Sequence, residues 1–333
     1  MIRPAKSWPE ANGGAMTMDD SITAAPARPS LARRIVAFPL TLLIIAMAML
    51  AAATFVTSKI NATLPSSEQP LWAVVKAIIA IIIVSGAYLA FTRWIERQPP
   101  RDYALPGAGR ELAGGIVTGI VIFTLVVGIA ALAGVYRITG EGSLREFLTM
   151  LVTVAIMPAF IEELLFRGIL FRFIEQIGGS WAALGLTSAL FGAAHLMNPN
   201  ASPLAALAIA LEAGLLLGGI YMLTRRLWAP MGLHAAWNFT QGFVFDVPVS
   251  GIDSNGLVQA KLSGPVLLSG GAFGLEASLI AMVVATFAGV LMIIRAVRKG
   301  EYKAPMWSRG DRVASQEAVR IDVNRDPDPG APV

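Results

Sequence analysis

The sequence has no cysteine, and only two of its 333 residues are histidine. The missing thiols exclude disulfides, thiolate metal sites and a cysteine nucleophile. They leave the compartment open, since a chain without cysteine suits oxidising and reducing surroundings equally. Charge is also scarce. Asp, Glu, Lys and Arg make up 14% of the chain against 55% apolar residues, whereas soluble domains carry about 25% charged residues. The formal net charge of +4 is small, and the basic residues sit beside apolar runs. They read as topology signals rather than as a nucleic-acid surface, so no nucleic-acid partner is expected.

What is present is a series of apolar runs approaching the ~20 residues that cross a bilayer. They fall near 34–56, 71–93, 111–135, 147–174, 180–197, 203–223, 229–247 and 275–296. The expected fold class is therefore all-α: a polytopic membrane helical bundle of about eight transmembrane helices in the cell membrane. Ala-rich steps near Ala51 resemble a signal-peptidase site. The preceding polar stretch and the apolar run are both long for a signal peptide, so cleavage is not expected.

Basic residues alternate between connections. Arg28, Arg33 and Arg34 precede the first run, and Arg93, Arg97, Arg101 and Arg110 surround the second connection. Arg225 and Arg226 lie in the sixth, and Arg295, Arg298 and Lys299 end the last run. The positive-inside rule then places both termini in the cytoplasm. The domain reading is a flexible segment over 1–32, three helices over 33–140 and a four-helix core over 141–247. An external loop over 248–274, a last helix over 275–299 and a flexible tail over 300–333 complete it. Gly115–Gly119 and Gly214–Gly218 are spaced for close helix contact, read as ordinary packing.

Within these runs lie Glu162-Glu163-Leu-Leu-Phe-Arg167, Phe191-Gly-Ala-Ala-His195 and His234-Ala-Ala-Trp-Asn238. A charged residue at the centre of a spanning helix costs roughly 2.5–3.5 kcal/mol on insertion scales and is a functional candidate by default. Glu163 and Arg167 are four apart and can pair on one helix face, while Glu162 points about 100° away. Glu162 is thus left free to act as a base. Gly192, Ala193 and Ala194 let a neighbouring helix approach His195 closely. His234 and Asn238 share a face, and their N–H groups suit an oxyanion. Helix–helix hydrogen bonding is the plainer reading, and it is stronger for Asn238.

The pattern Glu-Glu-x-x-x-Arg, Phe-x-x-x-His, His-x-x-x-Asn over about 155–245 resembles the CPBP family of intramembrane proteases. This family is also called the ABI or type II CAAX prenyl endopeptidase family. The resemblance implies an eight-helix protease whose catalytic core is the fourth to seventh helices. It implies that Glu162 with His195 activates a water, that His234 and Asn238 stabilise the oxyanion, and that Glu163 and Arg167 support the site. Its members are commonly called metalloproteases, and Glu162, His195 and His234 are the candidate ligands for a zinc ion. The residues also permit hydrolysis without a metal.

Other intramembrane protease designs are missing. No two histidines are four apart, so there is no His-Glu-x-x-His helix. Gly-x-Ser-Gly does not occur, and Asp246 stands alone near a span end. The leading expectation is an endopeptidase that cleaves membrane-associated peptide or protein substrates inside the lipid bilayer. A proton-coupled transporter uses similar residues but calls for inverted repeats, and none is evident. A non-catalytic membrane partner is the third reading.

Overall fold

In the computed structural model, which describes residues 30–309, six helices are long and apolar enough to cross a membrane. They are α1 (Pro39–Ala62), α2 (Pro70–Glu96), α3 (Ala108–Leu132), α4 (Phe147–Met197), α5 (Pro203–Thr224) and, after the shorter α6 (Trp228–Phe239), α7 (Leu279–Arg298). The protein is an all-α polytopic bundle. Prolines open α1, α2 and α5, where the missing N–H would have had no helical partner. Ser202 and Ser278 cap α5 and α7 by accepting from the amides of Ala205 and Ala281. Large apolar side chains such as Ile44, Phe55, Ile82 and Phe287 face outward from the long helices, as contact with lipid requires.

The 51-residue α4 is not one rod. Along a straight helix Phe166 and Phe191 would stand roughly 37 Å apart at ~1.5 Å per residue; their ring centroids are 4.8 Å apart. The chain reverses at Gly179, whose φ of 80° and ψ of 175° suit a residue without Cβ. A Cβ there would also lie 2.8 Å from the Lys303 carbonyl oxygen. The expected segments 147–174 and 180–197 are thus two limbs of α4. The segment expected over 229–247 is α6 extended by a π-helical turn, Thr240–Val244.

Several boundaries differ from expectation. The last helix starts at Leu279 rather than 275, because Leu275–Ala277 form a separate 3₁₀ turn ahead of the Ser278 cap. The tail expected to be flexible from Gly300 is docked at its start. Lys303 exchanges hydrogen bonds with Ser180, and Glu301 pairs with Arg225 at 3.1 Å. The rest of that tail, and all but the end of the expected flexible segment 1–32, lie outside the described residues. A two-stranded antiparallel sheet adds to the expected helices: β1 (Tyr136–Glu141) pairs with β2 (Val258–Leu262) from the loop over 248–274. Asp246 fastens that loop by accepting from the amides of Gly256 and Ala260, both at 3.0 Å.

The arginine-bearing connections gather at one end of the bundle. Arg172 meets Glu96, Arg225 meets Glu175, and Arg226 meets Glu111. Asp102 accepts from the Tyr88 hydroxyl at 2.7 Å. The short helix Leu31–Val36 lies beside Trp94–Gln98 at this end, and Arg309 donates to the Glu175 carbonyl. Both ends of the described chain are therefore on the same side.

The tightest helix pair is α3 against α6. Gly115 and Gly119 lie against the α6 backbone at Ala229, Leu233 and Trp237, and Gly232 returns the contact at the Leu112 carbonyl. Small residues on both sides bring the two backbones together, which sets the position of His234 and Asn238. Gly119→Val should destabilise the bundle by about 1–3 kcal/mol or more through overpacking, read as a lower thermal midpoint in detergent micelles. At Gly128 on α3 a Cβ would meet nothing within 4 Å, so Gly128→Ala should leave that midpoint equal or higher.

Candidate active site

The spacing of Glu163 and Arg167 produces the expected pair. Arg167 Nη1 lies 2.8 Å from Glu163 Oε1, with both side chains fully buried. A π-helical stretch, Leu164–Phe171, carries Arg167. Its Nη2 donates to the carbonyls of Ala213 and Gly214 on α5, at 3.3 and 3.4 Å. The guanidinium also stacks 4.8 Å from the Phe191 ring centroid. Arginine can spread its donors over several acceptors while buried, which a lysine cannot match.

His234 joins this pair, a contact that no short-range spacing suggests. Its Nδ1 lies 2.9 Å from the same Glu163 Oε1, and its Nε2 lies 3.9 Å from Glu162 Oε2. Glu163 therefore fixes the ring so that Nε2 is turned towards Glu162. The Glu162 side chain is 31% exposed, yet its Oε2 is shielded from solvent and has no hydrogen-bond partner. Glu162 remains the free carboxylate of the motif.

His195 closes the second limb of α4. Its Nδ1 is 2.7 Å from the Phe191 carbonyl oxygen. A carbonyl only accepts, so Nδ1 carries the proton and Nε2 of the neutral ring is the basic nitrogen. The Phe191 ring lies 4.8 Å from His195 and 6.1 Å from His234, centroid to centroid. Gly192 beside it takes the Ala206 carbonyl of α5 in close contact, as the small residues of that motif led one to expect. Asn238 donates through Nδ2 to the Val154 carbonyl at 3.1 Å, which matches its plainer reading as a helix–helix tie. Its second amide hydrogen is not used by that bond.

His195, His234 and Asn238 also line one cavity of about 30 Å³. That volume admits a water or two and no side chain. His234 belongs both to this cavity and to the acidic network, whereas Glu162, Glu163 and Arg167 do not line it. Among the described residues no hydrogen bond or ion pair joins Glu162 directly to His195. Nor do Glu162, His195 and His234 assemble as metal ligands: no group of three or more His, Asp or Glu side chains among the described residues is arranged to hold an ion. Both imidazole Nδ1 atoms are already committed, to Phe191 and to Glu163.

Two acidic residues of the cavity wall, Glu212 and Glu276, are absent from the three motifs. Glu212 had a signal in the sequence, being a carboxylate within the apolar run 203–223. Glu276 lies at the edge of a Gly- and Ser-rich loop, where a carboxylate draws no attention. The loop itself closes over the cavity. Asn198 and Asn200 donate to the carbonyls of Ser250 and Gly251, and the Ser250 amide donates to Glu276.

Breaking the central pair should be costly. Arg167→Met would leave Glu163 with His234 alone in a dry interior, and a loss of about 3–5 kcal/mol is expected. The double variant Glu163→Gln with Arg167→Met removes both charges and should lose much less. Thermal unfolding of the two proteins in micelles measures the difference.

Comparison with family models matches residues 144–240 to the family described as type II CAAX prenyl endopeptidase Rce1-like. Neither the curated proteins nor the solved structures gave a match. The matched segment contains Glu162, Glu163, Arg167, His195, His234 and Asn238, and with them both limbs of α4 and all of α5 and α6. Residues 144–240 are thus similar to the type II CAAX prenyl endopeptidase Rce1-like family, the one that the three motifs resemble.

Proposed function

We propose that this protein is an intramembrane endopeptidase that hydrolyses a peptide bond of membrane-associated substrates by glutamate-dependent activation of water. The observation that carries the reading is the position of His234. It is held by Glu163, turned towards Glu162, and shares a water-sized cavity with His195 and Asn238. The family match over this same region supports a membrane endopeptidase of the CAAX-protease type.

In the proposed reaction Glu162, unpartnered at Oε2, takes a proton from water as the oxygen attacks the scissile carbonyl. His195 assists through the basic Nε2 left by its bond to Phe191. With both ring nitrogens protonated, His234 donates through Nε2, alongside the free amide hydrogen of Asn238, to the developing oxyanion. Glu163 orients His234, and Arg167 pairs with Glu163. The surrounding apolar helices exclude bulk water, so the positioned molecule reacts selectively. No step is routed through a metal. Residues 141–247 form the catalytic core in this reading, and the arginine-bearing end faces the cytoplasm, which places both termini there.

The test compares new peptide termini in membranes containing the wild-type protein or Glu162→Gln at matched folded levels. Termini that depend on Glu162 should be formed at least about 100-fold more slowly by the variant, the usual scale of a lost general base. Equal cleavage by both proteins would sink the mechanism.

A further inference from the structure

Glu212 stands apart from the other buried carboxylates of the bundle. It is 1% exposed, and neither of its carboxyl oxygens has a hydrogen-bond partner. It lies in a π-helical turn, Ala210–Gly214, which interrupts α5. Such turns re-aim side chains and are common at functional sites. The Glu212 side chain lines the same cavity as His195, His234 and Asn238.

Its neighbours do not neutralise it. Arg167 reaches the adjacent Ala213 and Gly214 carbonyls but gives its carboxylate bond to Glu163. Glu276 also lines the cavity, and its carboxylate takes the Ser250 amide. This second acid offers Glu212 no counter-charge. His195 and His234 face the cavity with Nδ1 already used. A buried carboxylate with no partner is strongly disfavoured, whereas the neutral acid is tolerated. The cavity is too small for a cationic side chain, so a proton is what fits.

Peptide hydrolysis needs such a proton. Glu162 removes one from water, but the departing nitrogen must gain one; the Nδ1 of His234 is engaged with Glu163, and the carboxamide of Asn238 can donate a hydrogen bond but is not acidic enough to give up a proton. Resting on the function proposed above, we propose that Glu212 is the general acid of the reaction, holding a proton in the cavity and giving it to the leaving amine. Water oxygen bonds to the carbonyl carbon as Glu162 takes the water proton. The carbon–nitrogen bond then breaks as the nitrogen takes the Glu212 proton. After product release, solvent carries the proton on Glu162 back to Glu212, and one water has been consumed with no other reactant.

The experiment uses the full chain in micelles with two probes. One is a peptide whose cleavage depends on Glu162; the other is the 4-nitrophenyl ester of its acyl half, whose leaving group needs no proton. Glu212→Gln should lower peptide cleavage about 100-fold with KM little changed, while ester hydrolysis falls far less. The ratio of the two rates within one preparation is independent of the folded fraction. An unchanged ratio, whether both rates are kept or both are lost, overturns the assignment of Glu212. Failure of the wild-type protein to cleave either probe overturns the proposed function instead, and this inference with it.

Discussion

A single buried oxygen, Oε1 of Glu163, organises the centre of this protein. An anion in a dry helical bundle must be paired, because desolvation outweighs what one imperfect partner returns. Here it is bracketed by Arg167 from its own helix and His234 from α6. Arg167 in turn reaches α5 through two carbonyls and stacks on Phe191 from the second limb of α4. Three helices are thereby held around one charge.

The backbone arrangement serves that charge. Reversal at Gly179 brings Phe191 and His195 back beside Glu163 and Arg167. The glycines of α3 and α6 press the His234 helix into place, and Gly192 does the same for α5. The two ends of the bundle are closed differently. Ion pairs among Arg172, Arg225, Arg226 and their carboxylates lock one end. Hydrogen bonds donated by Asn198 and Asn200 and accepted by Asp246 and Glu276 lock the other, next to the cavity. The centre keeps room for only a water or two. A confined water and a fixed set of donors are easier to keep in register when the walls cannot shift.

Local physics made much of this legible from the chain alone. Apolar runs of bilayer length gave the helical bundle, and a four-residue spacing gave the Glu163–Arg167 pair. The distribution of arginines anticipated that the connections carrying them would meet at one end. Phe191, His195, His234 and Asn238 were all visible as polar or aromatic marks on apolar segments. Where the reading stopped short, the cause was distance along the chain. Glu163 and His234 are 71 positions apart, and β1 meets β2 across the whole of α4, α5 and α6. The docked start of the tail depends on Ser180 and Arg225, which no nearby residue announces.

The sequence by itself determined the solvent this protein lives in, the helices it forms and the side chains available for chemistry. Those follow from hydropathy, periodicity and composition, which act over a few turns of helix. Only the tertiary structure decided which groups meet. It gave His234 to Glu163, tied Asn238 to the Val154 carbonyl, left Glu162 unpartnered, and turned Glu212 into the cavity. These choices arise from packing between distant helices, where shape, and the need to satisfy each buried charge, select one arrangement from many that the same residues would allow.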